Sequence, residues 1–185
     1  MLQDRPTLDR KTFFRALFAA IDREEVDSVN SLLEQYPNMI AAEKAGWFRV
    51  LTHLFYRPLT GNRKKEPCSV EPTAILRALI AHGADLTVCD SAGTPVIFLA
   101  AGYGYTECVR LLMDNGADVN SVVSDGKTLL IFITYLQRKS LVQLLLAYRA
   151  DVNRQTALGT TALALARKNE NTDLIQLLEQ AGARK

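Results

Sequence analysis

With 185 residues, 48% of them apolar and 23% charged, the chain has material for an ample core, and its basic and acidic residues are interspersed to a net charge of only +2. That balance sets up no global field of the kind that draws proteins onto nucleic acid or anionic membrane, so neither partner is expected. No apolar run is long enough to cross a bilayer and no apolar signal segment precedes Phe13, while Cys68, Cys89 and Cys108 lack CxxC spacing, which reads as reduced thiols in a cytoplasmic protein.

After a polar tail over residues 1–10, Asp9 is placed to cap a helix whose apolar positions Phe13, Phe14, Leu17, Phe18 and Ile21 share one helical face. Arg23-Glu24-Glu25 makes a turn, and Val26, Val29, Leu32 and Leu33 carry a second helix to Tyr36-Pro37, where proline forbids continuation. A third helix follows Gly46-Trp47-Phe48 through Val50, Leu51, Leu54 and Phe55, and a fourth covers Thr73 to His82. Between them, Pro58, Pro67, Pro72 and Gly61 exclude regular structure from the loop Arg57 to Pro72. Further on, Leu129 to Ile133 is a β-branched apolar run that local propensity alone assigns to a buried strand. A helix from Ser140 then carries Leu141, Val142, Leu144, Leu145 and Leu146, and Asn171, Asp173, Gln176 and Glu179 make the last helix wet on one side.

These pieces repeat. Ala117 to Asn120 reads ADVN and returns 33 residues later as Ala150 to Asn153, and the same step backwards lands on Ala84-Asp85-Leu86-Thr87. Gly83, Gly116 and Gly182 keep that spacing, as do Gly93, Gly126 and Gly159. A unit of a turn, two short helices and a glycine stop, closed by GADVN after a Leu-Leu helix, resembles the ankyrin repeat. The resemblance covers residues 11–185 and implies an all-α solenoid of helix-turn-helix units joined by short β-hairpin-like loops. Its five repeats are expected near 11–42, 43–89, 90–122, 123–155 and 156–185, the second longer by 14 residues that fall within the inter-helix loop 57–72. In this register Leu129 to Ile133 is an inner helix, sandwiched and apolar nearly all round.

The sequence departs from the family where Thr-Pro-Leu-His is usual. Pro95 to Phe98 stands there in the third repeat, Thr128 to Ile131 in the fourth and Thr161 to Ala164 in the fifth. Phe98, Ile131 and Ala164 cannot make the family histidine's hydrogen bond between repeats, so apolar packing is expected to substitute. At the end of the fourth outer helix Arg149 takes the place of the glycine stop.

Chemistry is sparsely provided for. His53 and His82 are the only histidines, no metal-ligand spacing recurs, and Gly102-Tyr103-Gly104 lacks the flanking strand of a phosphate loop, so no catalytic residue, metal or cofactor is expected. Cys108 falls among apolar helix positions and reads as core. The positions that face the groove in the resembling family carry more. They are Trp47, Phe55 and Tyr56 in the second repeat, Ser91, Thr94 and Tyr103 in the third, Asp125, Lys127 and Tyr135 in the fourth, and Lys168 in the fifth. Aromatic rings grouped on such a face suit the energetic centre of a protein interface, although Phe55 and Tyr135 have a second reading as packing against neighbouring repeats. The basic cluster Arg63, Lys64 and Lys65 reads either as a solvated loop or as a contact to an acidic protein surface, and three cations are a poor fit to nucleic acid. The implied partner is another protein, bound by a monomer in a 1:1 complex, with two roles open: a general adaptor, or a dedicated inhibitor of one enzyme, as in toxin-neutralising immunity proteins.

Overall fold

The computed structural model describes residues 8–41, 44–55 and 72–184. Most of the loop over 57–72, with Arg63, Lys64, Lys65 and Cys68, lies outside them, as does Tyr56. The described residues are all-α apart from two isolated β-bridges, and they fall into two compact units, one reaching to Asp85 and the other starting at Leu86.

In the first unit, α1 (Arg10–Asp22) starts where the Asp9 carboxylate accepts from the Thr12 backbone N–H at 3.0 Å. It is followed by α2 (Val26–Gln35), α3 (Asn38–Ala41), α4 (Lys44–Phe55) and α5 (Thr73–Ala81). Helices α1 and α4 pack together, and α5 closes on α2 and α4 over a core of Phe13, Leu17, Ile21, Leu51, Leu54, Leu76 and Leu79. The junction of the first two repeats departs from the expected loop. Gly46, expected to open the second repeat, lies inside α4, packed so closely on α3 that a Cβ would sit 2.9 Å from the Ile40 carbonyl oxygen.

The second unit stacks three helix pairs: α6 (Val96–Tyr103) with α7 (Thr106–Asp114), α8 (Leu129–Tyr135) with α9 (Lys139–Ala147), and α10 (Ala162–Lys168) with α11 (Thr172–Gln180). The run Leu129 to Ile133 is therefore helical and buried. Burial on several sides of a thin layer explains its strand-like composition, and the Thr128 hydroxyl fixes its start by accepting from Ile131 N–H at 3.2 Å. Thr161 does the same for Ala164 at 3.0 Å. Each pair is preceded by a tight turn, and two of these turns carry a bridge, Cys89 to Pro95 and Val122 to Thr128, one period apart.

What joins successive layers is partly apolar and partly polar. Phe98 and Ile131 are buried, with the Phe98 and Phe132 ring centroids 5.6 Å apart, as the loss of the histidine required. Ala164, on α10, is exposed instead, so the apolar substitution is not made at this position among the described residues. Hydrogen bonding between layers also survives. Asn120 Oδ1 accepts from the Asp151 backbone N–H at 2.8 Å, and Asn153 Oδ1 accepts from Arg184 N–H at 2.8 Å. The recurrent asparagine is thus a clasp reaching into the next turn of the stack. Asn120→Ala is expected to lower stability by about 1 kcal/mol, read as a fall in the urea midpoint at unchanged m-value.

The glycine stops also resolve. Gly116 and Gly182 follow their helices at φ +94° and +89°, and Arg149, the residue substituted into the series, holds φ 61°. An exposed arginine there carries the left-handed strain that glycine avoids, so Arg149→Gly is expected to stabilise the fold by about 1 kcal/mol. A denaturation midpoint that stays put or falls rejects this.

Candidate functional site

The second and third turns of the C-terminal unit are cross-linked at their tips. Val123 and Thr156 each close a turn by donating to Lys127 and Thr160 carbonyls, at 3.1 and 3.0 Å, and the Ala157 N–H then donates across to the Asp125 carbonyl at 3.0 Å. Gly126 permits this approach, since a Cβ there would meet the Ala157 nitrogen at 3.2 Å. Lys127 is folded back onto Asp125. Its Nζ lies 3.0 Å from Oδ2 and its backbone N–H donates to Oδ1 at 2.9 Å. The hydrogen bond from the lysine side chain, then that from its backbone, holds the Asp125 carboxyl below its ordinary range, so the pair stays charged where a free aspartate begins to protonate.

Behind these tips, Ile131 and Tyr135 on α8 and Leu165 on α10 line a concavity of about 300 Å³, with Leu158 and Thr160 at its other edge. Tyr135 is 61% exposed and Leu158 is 92% exposed, large apolar groups left in water at the rim of one hollow. Single exposed leucines are ordinary; two such groups framing an apolar-floored concavity with a charged pair beside them are the pattern of an interaction site.

The sequence-expected residues divide accordingly. Asp125, Lys127 and Tyr135 come together here. Tyr103, 41% exposed, stacks on Tyr105 with centroids 5.8 Å apart. Ser91 lies exposed at the first turn, where Thr94 is held by its N–H donating to Asp90 at 2.7 Å, and Lys168 is exposed at the end of α10; none of these lines the concavity. Trp47 and Phe55 are corrections: at 6% and 1% exposed they are core and offer no surface. Trp47 is expected to face the groove by the family register, but α4 starts at Lys44 and the indole is buried within this helix. Phe55 follows its packing reading. Tyr56, Arg63, Lys64 and Lys65 lie outside the described residues.

The histidines have structural partners. His53 stacks on Phe18 at 4.2 Å between centroids with Nε2 3.0 Å from Asp22 Oδ1, and His82 Nε2 is 3.2 Å from Asn30 Oδ1. Among the described residues no group of His, Cys, Asp and Glu is placed to hold a metal, and no helix is long and apolar enough to cross a membrane. Cys108 is buried, and Cys89 is exposed beside its turn.

Residues 68–156 match the family described as ankyrin repeats (3 copies). This segment carries ankyrin repeats. Comparison with curated proteins gives no match. Ankyrin repeats form a binding scaffold that is generally non-enzymatic and engages other proteins, which agrees with a site built of exposed apolar groups rather than convergent titratable ones. Sequence spacing missed Ile131, Leu165 and the tip-to-tip bond that make the hollow in the ankyrin stack, because all three depend on how one repeat leans on the next. It also missed Arg138, which precedes α9 and sends its guanidinium back to α6, Nη2 donating to the Gly102 carbonyl at 2.8 Å and Nη1 to Ala101 at 3.3 Å.

Proposed function

We propose that the chain is a cytoplasmic, non-enzymatic module that binds another protein in a 1:1 complex through its C-terminal ankyrin repeats, and that it serves as a dedicated inhibitor of one partner enzyme. The carrying observation is the exposure of Tyr135 and Leu158 over the concavity beside the Asp125–Lys127 pair. In this reading the two apolar groups anchor the client and desolvate on binding. Asp125 and Lys127 orient it, and Ser91, Thr94, Tyr103 and Lys168 contribute the outer contacts. The backbone of the face is already hydrogen bonded from tip to tip, so little ordering entropy opposes association, which suits one client of fixed shape.

Affinity capture from the native cell with the full chain tests this, with a Tyr103→Ala/Lys127→Ala/Tyr135→Ala variant as control. One stoichiometric enzyme, inhibited by the native chain and lost with the variant, is the expected result. Several partners lost together replace the inhibitor by an adaptor, and an identical partner set for both proteins rejects the face.

A further inference from the structure

The N-terminal unit holds a second concavity, of about 560 Å³, and its chemistry differs from the first. Helical spacing puts Arg10, Phe14 and Phe18 in one row of α1 with Lys11 and Arg15 beside it, and Arg49 reaches in from α4. Phe14 is only 4% exposed, and the Arg49 and Arg10 guanidinium carbons lie 4.9 and 5.8 Å from its ring centroid. The ring therefore fixes the position of two guanidinium groups at the mouth of the hollow, while Phe14 and Phe18 form an apolar floor.

The neighbouring carboxylates are already engaged. Asp9 accepts from the Thr12 N–H at 3.0 Å and its hydroxyl at 2.6 Å, and Asp22 faces His53. Among the described residues no carboxylate forms an ion pair with Lys11, Arg15 or Arg49. Three cations, Lys11, Arg15 and Arg49, thus border an apolar floor in a chain whose total charge is only +2.

We propose that this basic concavity binds a short acidic segment of a partner protein, its carboxylates held by Lys11, Arg15 and Arg49 and an adjoining apolar side chain seated against the half-buried Phe18. The inference rests on the reading that the chain binds protein. Guanidinium forks match carboxylates in two parallel hydrogen bonds, and forks held against a ring lose less freedom on forming them. Nucleic acid fits less well. It requires a track of cations along its backbone and open rings on which bases stack, and the Phe14 ring is covered.

The test is fluorescence anisotropy with the full chain and a labelled peptide of glutamates around one leucine. Binding is expected to weaken with salt, to vanish when glutamine replaces glutamate, and to fall about tenfold in Lys11→Gln/Arg15→Gln and again in Arg49→Gln. The first pair is exposed and leaves the fold intact even if Arg49→Gln does not. Absence of binding, indifference to the substitutions, or tighter binding of single-stranded DNA at the same salt overturns the proposal. Tyr135→Ala separates the two sites. If it abolishes client capture while the peptide fails to bind, this inference alone falls; peptide binding that survives it, beside unchanged client capture, leaves this inference standing and rejects the C-terminal face.

Discussion

Gly104→Ala is expected to lower stability by about 2.5–4 kcal/mol, several times the effect of an ordinary surface substitution. Two costs add. Gly104 ends α6 at φ +83°, where a side chain carries strain of about 1 kcal/mol. Its Cβ would also stand 2.0 Å from Arg138 Nη1 and 3.0 Å from Cζ, so the guanidinium must leave and the Ala101 and Gly102 carbonyls lose their charged donor. Hydrogen bonds of that kind contribute about 1.5–3 kcal/mol. The equivalent positions in the next repeats show that the conformation alone is tolerable, since Gln137 and Glu170 hold φ 55° and 53°. A double-mutant cycle decides the division: in an Arg138→Ala background the cost of Gly104→Ala is expected to shrink to about 1 kcal/mol. A cost unchanged by that background removes the fork from the explanation.

Arg138 also marks the limit of what the sequence alone discloses. The period of 33 residues was legible because each unit repeats its own turn, cap and stop, and these are local devices written in adjacent residues. The same register turned Leu129 to Ile133 from a strand-like run into α8, where burial against layers before and behind overrides β propensity. It failed at Gly46, expected to open the second repeat but held inside α4 by close contact with the Ile40 carbonyl rather than in a left-handed turn. Trp47 was misplaced with it. Links between layers, such as the Arg138 fork or the Asn120 clasp, join residues about one repeat apart, and no local pattern distinguishes such a side chain from a solvated one. The basic concavity divides the same way. Lys11 and Arg15 share a helix face visibly in the sequence, but Arg49 joins them only through the packing of α4 on α1.

At the proposed binding face, Tyr135→Ala combined with Leu158→Ala is expected to weaken the captured client by about 30- to 1,000-fold in titration calorimetry, roughly 2–4 kcal/mol. The size follows from position. Both groups are large, apolar and exposed in the free chain, so binding removes their full area from water, and the Tyr135 ring is already carried by α8 and loses few rotamers. The same exposure means that truncation leaves no cavity, so the thermal midpoint is expected to hold within a degree or two. Lys127→Ala belongs to a different class. Its charge is shared with Asp125 and half open to solvent, so its loss is expected to slow association and flatten the salt dependence while changing affinity by less than about tenfold. If the two effects are reversed, with the lysine dominant and the apolar pair contributing less than about threefold, the hollow between the last two repeats is not where the client is gripped, and electrostatic rather than apolar contacts hold the complex.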